Sequence, residues 1–242
     1  MPPKKEKKEK KESGRDEITN WTKVFSKGEG IKEIPRDSNF DTHMVKPCKM
    51  IVIVGSTGAG KSTALVEFLH RKNDAFVEII LFTGSTTDEV LYRNLEKHIE
   101  GIQITDKADE LPDVTSYNDE DKSVERLLIL DDIINCSPKE LKKMMKWFNS
   151  ARKYGFTVMC LVQNFTDLPI QMRRNAHMFM VFRLHDARAV SNLLSTHSDG
   201  MDKELLKEIY YSVTSQPNNF LTIDLTEGGS LRWRQNFIGR IF

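Results

Sequence analysis

Eight consecutive residues, Gly55-Ser56-Thr57-Gly58-Ala59-Gly60-Lys61-Ser62, have the types and spacing needed to hold the phosphates of a nucleoside triphosphate. In a G-x-x-x-x-G-K-S run the glycines let the backbone curl its N–H groups around phosphate oxygens. The lysine reaches the β- and γ-phosphates and the serine hydroxyl ligates Mg²⁺. Lys61 is therefore a candidate catalytic cation and Ser62 a candidate metal ligand. The stretch from Gly55 to Thr63 is the candidate nucleotide-binding segment, because a helix starting near Lys61 adds the positive end of its dipole to the cradle.

A second set of groups follows an apolar run, Leu127-Leu128-Ile129-Leu130-Asp131-Asp132. A Walker B strand has this form, since a Mg²⁺-directed carboxylate must emerge beside the P-loop at the C-terminal edge of the sheet. Asp131 is assigned to Mg²⁺, directly or through water. Asp132 takes the position at which many ATPases polarise the attacking water. Aspartate is shorter than the glutamate usual there, so a structural role for Asp132 stays open. Residues 156–162 form another apolar run ending in Gln163-Asn164, and Gln163 at that sheet edge can hold the attacking water or sense the γ-phosphate.

These groups need a sheet that brings the ends of separate strands together. From Met50 onward short β-branched runs alternate with helical periodicity, which predicts an α/β fold, the three-layer sandwich of a P-loop NTPase around a mainly parallel sheet. Strands are expected at 50–54, 77–82, 127–131, 156–162 and 178–182. About 70 residues separate the P-loop from Asp131, and the run from Val77 to Phe82 is read as an extra strand between the two Walker strands. That points to the additional-strand, RecA-like branch. Ser137-Pro138-Lys139-Glu140 predicts a capped helix start, with Leu141, Met144, Met145 and Phe148 as the core face and Gly155 as the stop. Residues 106–123 are acidic and polar and read as a surface excursion. Residues 220–225 and 231–235 flank Thr226-Glu227-Gly228-Gly229-Ser230 as a C-terminal β-hairpin, and Phe237, Ile238, Ile241 and Phe242 form an apolar tail expected to dock on the domain or a neighbouring subunit.

With 242 residues and 39% hydrophobic content the chain can bury one substantial core, read as a P-loop domain at 46–242 behind a Lys/Glu tail (1–12) and an arm (13–45) bearing Trp21, Phe25, Ile31 and Phe40. The net charge is +1, but residues 1–12 carry six lysines against three glutamates, which leaves −2 on the remainder. Contact with nucleic acid must therefore come from local patches: the tail, the helix bearing Lys139, Lys142, Lys143, Lys146, Arg152 and Lys153, or the Arg232-Trp233-Arg234 hairpin. No apolar run approaches the ~20 residues of a membrane span. Cys48, Cys136 and Cys160 and the six histidines lack metal-ligand spacing, and free thiols fit a reducing compartment.

Taken together, Gly55 to Ser62, Leu127 to Asp132, the Val162-Gln163 strand end, Leu168-Pro169-Ile170-Gln171-Met172-Arg173-Arg174-Asn175-Ala176 and Asp186-Ala187-Arg188-Ala189-Val190 resemble the FtsK/HerA superfamily of DNA-pumping ATPases, and within it the genome-packaging ATPases of large DNA viruses and virophages. The resemblance covers roughly residues 45–195. It implies a homo-oligomeric ring, pentamer or hexamer, that hydrolyses ATP with Mg²⁺ between subunits and drives double-stranded DNA, independently of sequence, toward a capsid protein partner. It also implies action in the host-cell cytoplasm, in virus factories, and in the virion. An arginine reaching across the interface is implied as well, with Arg173, Arg174, Arg183 and Arg188 as candidates. The competing readings are another P-loop ATPase of helicase-like type, a small-molecule kinase, for which no compact Arg-rich lid is evident, and a nucleotide-gated assembly module. A GTPase is disfavoured because no N-K-x-D base-recognition element follows the strands.

Overall fold

The computed structural model describes residues 34–72, 75–87, 89–117 and 123–242. The 1–12 tail, and the arm as far as residue 33, lie outside the described residues. The described part of the arm, which includes the short helix α1 (Phe40–His43), packs against the body: His43 is buried and its ring meets Phe68 edge-on at 6.0 Å.

The described residues form one nine-stranded sheet from β1 (Met50–Val54), β2 (Phe76–Thr83), β3 (Gln103–Thr105), β4 (Glu125–Asp131), β5 (Phe156–Val162), β6 (Met178–Val181), β7 (Leu221–Asp224), β8 (Trp233–Gln235) and β9 (Gly239–Arg240). Its order is β3-β2-β4-β5-β1-β6-β7-β8-β9, parallel from β3 to β6 and antiparallel from β6 to β9. The five residues of β1 are all buried because helices cover both faces, and alternate side chains enter opposite cores. Ile51 and Ile53 join Leu65 and Phe68 of α2 (Lys61–Lys72) and Tyr92 and Leu95 of α3 (Val90–His98). Met50, Val52 and Val54 face the other side, where α4 (Pro138–Ser150), α5 (Ile170–Asn175), α6 (Ala187–His197) and α7 (Lys203–Val213) supply Trp147, Met172, Leu193 and Tyr210. This is the expected sandwich.

The strand between the two Walker strands is not the one that sequence spacing indicated. The 77–82 run forms β2, which lies outside β4, whereas β5 pairs with both β4 and β1. Position along the chain does not fix order across a parallel sheet, because each helical crossover can return the chain to either side. The additional-strand topology holds, with β5 as the inserted strand.

Helix α4 starts with the expected capping box, in which the Ser137 hydroxyl accepts from the Glu140 N–H and Glu140 accepts from the Ser137 N–H. Its stop differs. The α-helix ends at Ser150, a 3-10 turn follows at Ala151–Tyr154, and Gly155 closes that turn at φ 77°. Trp147 joins the buried face, and its indole donates to the Pro112 carbonyl at 2.9 Å. The lysine face of α4 is only partly free: Lys143 donates to the Ala108 carbonyl and Lys146 pairs with Asp113, so the 106–117 excursion lies over it.

The β7–β8 hairpin forms as expected, but Arg234 is 1% exposed and donates to the Phe237 and Leu231 carbonyls and Asp224. Arg232 pairs with Asp199 and donates to the His197 carbonyl. The hairpin arginines are therefore braces rather than a free basic patch. In the apolar tail Phe237 is buried against Phe68 and Phe220, while Ile238 and Phe242 stay exposed.

Candidate active site

The P-loop joins β1 to α2 at the C-terminal edge of the sheet. Gly58 and Gly60 take φ values of 76° and 107°, which are costly for other residues. Gly55 is required for a different reason: a methyl group there would stand 2.5 Å from Phe182 Cβ. The loop is pinned at both sides, Gly55 N–H donating to the Val162 carbonyl of β5 and Ser56 N–H to the Arg183 carbonyl just after β6. Lys61, the first residue of α2, donates to the carbonyls of Gly55 (2.8 Å) and Ser56 (3.2 Å). Burial lowers its pKa, and the charges of Asp131 and Asp132 act against that shift. Ser62 and Thr63 are exposed in the first turn of α2.

Sheet topology brings the remaining groups to this edge. β4 ends at Asp131, in register with Leu161 of β5 and Thr83 of β2. Burial pushes the Asp131 carboxyl up to about 6, against opposing contributions from the Tyr92 hydrogen bond and the Lys61 charge. The Tyr92 hydroxyl donates to Asp131 Oδ2 at 3.0 Å and lies 3.1 Å from Thr83 Oγ1. Asp131 Oδ1 has no hydrogen-bond partner among the described residues. A half-buried carboxylate with one oxygen unpartnered, at the sheet edge where Ser62 lies in the first turn of α2, belongs to a hard-oxygen donor set and fits Mg²⁺, whose other ligands are phosphate oxygens and waters. Tyr92 was missed by the sequence reading, since a tyrosine at a core position of an amphipathic helix carries no separate signal.

Asp132 adopts left-handed backbone, φ 50° and ψ 45°. Aspartate enters that region far more readily than glutamate, which gives a backbone reason for the shorter acid at this position. The turn is clamped by Gly84, whose N–H donates to the Asp131 carbonyl at 2.8 Å and where a methyl group would come within 2.1 Å of the Asp132 carbonyl oxygen. At the end of β5, Gln163 Oε1 accepts from the Thr57 hydroxyl at 3.3 Å, so the amide touches the P-loop itself.

The four arginines differ in surroundings. Arg173 is half-buried on α5 with its guanidinium 5.1 Å from the Phe165 ring centroid, and its Nε is buried without a partner among the described residues. Arg174 and Arg188 are exposed. Arg183 is exposed and lies over the Tyr211 ring at 4.5 Å, next to the P-loop through its own carbonyl.

Comparison with known proteins bears on this arrangement. DNA packaging protein OPG160 of variola virus is 25% identical over 182 residues, covering 72% of this chain and 67% of that protein; its vaccinia virus (strain Copenhagen) counterpart is 24% identical over the same shares. Among solved structures, the genome packaging NTPase B204 of Sulfolobus turreted icosahedral virus 2, in complex with ATP-gammaS, superposes with a TM-score of 0.53 at 14% identity, covering 78% of this chain and 97% of that one. The cytoplasmic domain of EssC matches with a TM-score of 0.50 at 17% identity, over 63% of this chain and 35% of that one. At such identities the structural matches establish the fold, a P-loop ATPase sandwich. The resemblance to viral packaging ATPases of FtsK/HerA type, read from the Walker and Gln-to-Arg residues, holds. The model described as "Poxvirus A32 protein" matches residues 37–223, the span that holds the P-loop, Asp131, Asp132, Gln163 and all four arginines, and the chain belongs to that family.

Proposed function

We propose that this chain is an ATP-hydrolysing motor that packages viral double-stranded DNA into capsids. The observation that carries the reading is the Thr57–Gln163 contact: β5, inserted between the Walker strands, delivers an amide to the P-loop. A binding module needs the cradle alone. A hydrolase also needs a group that orients water, and the contact with Thr57 supports Gln163 in that role. Family membership and the packaging relatives supply the DNA substrate.

In this reading Lys61 leaves the Gly55 and Ser56 carbonyls for the β- and γ-phosphates, offsetting charge that develops in the transition state. Ser62 and Asp131 would hold Mg²⁺, which neutralises phosphate charge when bound. Asp132 takes a proton from the water that Gln163 orients. The protein acts as a homo-oligomeric ring, pentamer or hexamer, with an arginine reaching the neighbour's γ-phosphate. Exposed Arg174, Arg183 and Arg188 suit that role better than Arg173, which is stacked on Phe165. Capsid protein is the docking partner, and virus factory and virion are the places of action; among the described residues no helix is long and apolar enough to cross a membrane.

ATP hydrolysis measured with and without linear duplex DNA tests the reading. Stimulation by duplex supports a DNA motor. Hydrolysis indifferent to duplex, with oligomers verified, returns weight to another P-loop enzyme. Mixing Lys61→Ala subunits with each single Arg→Ala variant should restore activity only where the arginine acts across an interface.

A further inference from the structure

The P-loop has two flanks, and the hydrolysis machinery occupies one. β5 and β4 lie on one side of β1, so Gln163, Asp131 and Asp132 approach from that side. The γ-phosphate must point toward them, and the nucleoside at the other end of ATP then lies toward β6 and β7.

On that flank the loop between α7 and β7 leans on the P-loop. A methyl group built at Gly60 would stand 2.5 Å from Asn218 Oδ1 and 3.0 Å from Asn218 Cα. Asn218 holds left-handed backbone at φ 64° and is exposed, and its side-chain amide has no hydrogen-bond partner among the described residues. The loop around it is braced. Asn236 Oδ1 accepts from the Phe220 N–H at 3.0 Å, and Asn236 Nδ2 donates to Asn219 Oδ1 at 3.0 Å. Phe220 packs on Phe182 with centroids 5.0 Å apart. The Tyr210 hydroxyl donates to the Phe182 carbonyl and accepts from the Leu184 N–H, which ties α7 to the end of β6. Beside it the Arg183 guanidinium lies over the Tyr211 ring, 4.5 Å from its centroid, with Tyr211 38% exposed.

We propose that this flank is the nucleoside subsite, with the Asn218 amide reading the edge of adenine and the Arg183–Tyr211 pair forming a wall for the base. The proposal rests on the ATPase reading above. An amide offers one donor and one acceptor, which matches the N6 donor and N7 acceptor of adenine. Guanine presents two acceptors, O6 and N7, along the same edge and leaves the amide carbonyl facing a carbonyl. Arg183 then serves its own subunit's nucleotide, and the candidates for reaching the neighbour narrow to Arg174 and Arg188.

Asn218→Gly tests this, because glycine keeps the positive φ at little cost while deleting the amide. Full-length wild type and variant are compared for binding and hydrolysis of ATP, GTP and inorganic tripolyphosphate, with thermal melting as the fold control. The expected result is an ATP affinity about tenfold weaker, GTP changed less than about twofold, and tripolyphosphate unchanged. An ATP-to-GTP preference equal in the two proteins overturns the subsite. So does an equal loss for ATP and tripolyphosphate, which would make Asn218 a brace for Gly60. Wild type that hydrolyses none of the three compounds removes the ATPase reading itself, an outcome distinct from either.

Discussion

Helix α2 begins at Lys61 and ends at Lys72, and strand β4 begins at Glu125 and ends at Asp131, so the same two elements carry a lysine and a carboxylate at each end of the sheet. At the N-terminal edge the buried charges of these two elements, Lys72 and Glu125, are paired. Lys72 pairs with Glu125 and with Asp37 at 3.3 Å, and Thr157 donates to the other Glu125 oxygen at 2.6 Å. His43 Nε2 donates to Asp37 while its Nδ1 accepts from the Val45 N–H, which fixes the tautomer. At the C-terminal edge Lys61 donates to carbonyls, and Asp131 keeps one oxygen without a partner among the described residues. Buried charge that is fully satisfied locks the arm segment onto the domain. Half-buried charge left part-satisfied is available for a ligand, and desolvation of Asp131 raises its pKa.

Exchange of the two lysines breaks the comparison most directly. Lys61→Ala should lower turnover by roughly a thousandfold or more, with melting shifted by only a few degrees. Lys72→Met strands Glu125 and Asp37 and should cost about 3–5 kcal/mol, read as a drop in melting temperature on the order of 10 °C. Equal effects of the two on stability would erase the distinction.

Asp132→Asn sharpens the open end. If Asp132 takes the proton, turnover should fall about a hundredfold or more while Mg·ATP still binds; loss of nucleotide binding would assign it to the metal.

The ends should also respond to pH with opposite sign. Burial raises the folded Asp131 carboxyl from its ordinary 3.8 to about 6, so its contribution is fully present below 3.8 and is lost as pH rises through 6. Asp131→Asn should therefore melt higher than wild type at pH 7, and the gap should close toward pH 4. Burial holds His43 below its ordinary 6.5, so its contribution is lost as pH falls from 6.5 through the lowered folded value. His43→Gln should flatten the melting curve between pH 7 and 5.

The smallest effect is at Tyr92. Tyr92→Phe removes the hydroxyl that favours ionised Asp131 and should raise the Mg²⁺ concentration for half-maximal hydrolysis about fivefold, seen in a Mg²⁺ titration at fixed ATP.

The open end was largely legible in the sequence because its chemistry is local: Gly55 to Ser62 lie in one turn, and Asp131 and Gln163 each follow an apolar run. The closed end was not. Lys72, Glu125, Asp37 and Thr157 come from four separated segments, and a charged residue in sequence reads as solvated until a partner is placed beside it. Strand order escaped for the same reason, since the pairing of β5 with β1 joins residues far apart in the chain. The short β3 lies in a stretch whose polarity masks it, and Tyr92 and Asn218 act only through what the fold sets against them.

Translocation itself is the most direct test of a motor built on the open end. A triplex-forming strand annealed to linear duplex DNA reports passage of a motor by its displacement. Wild type should displace it with ATP and fail without ATP, and Lys61→Ala should bind the duplex yet leave the triplex in place. Wild type that binds duplex and hydrolyses ATP but never displaces the third strand would contradict a DNA pump.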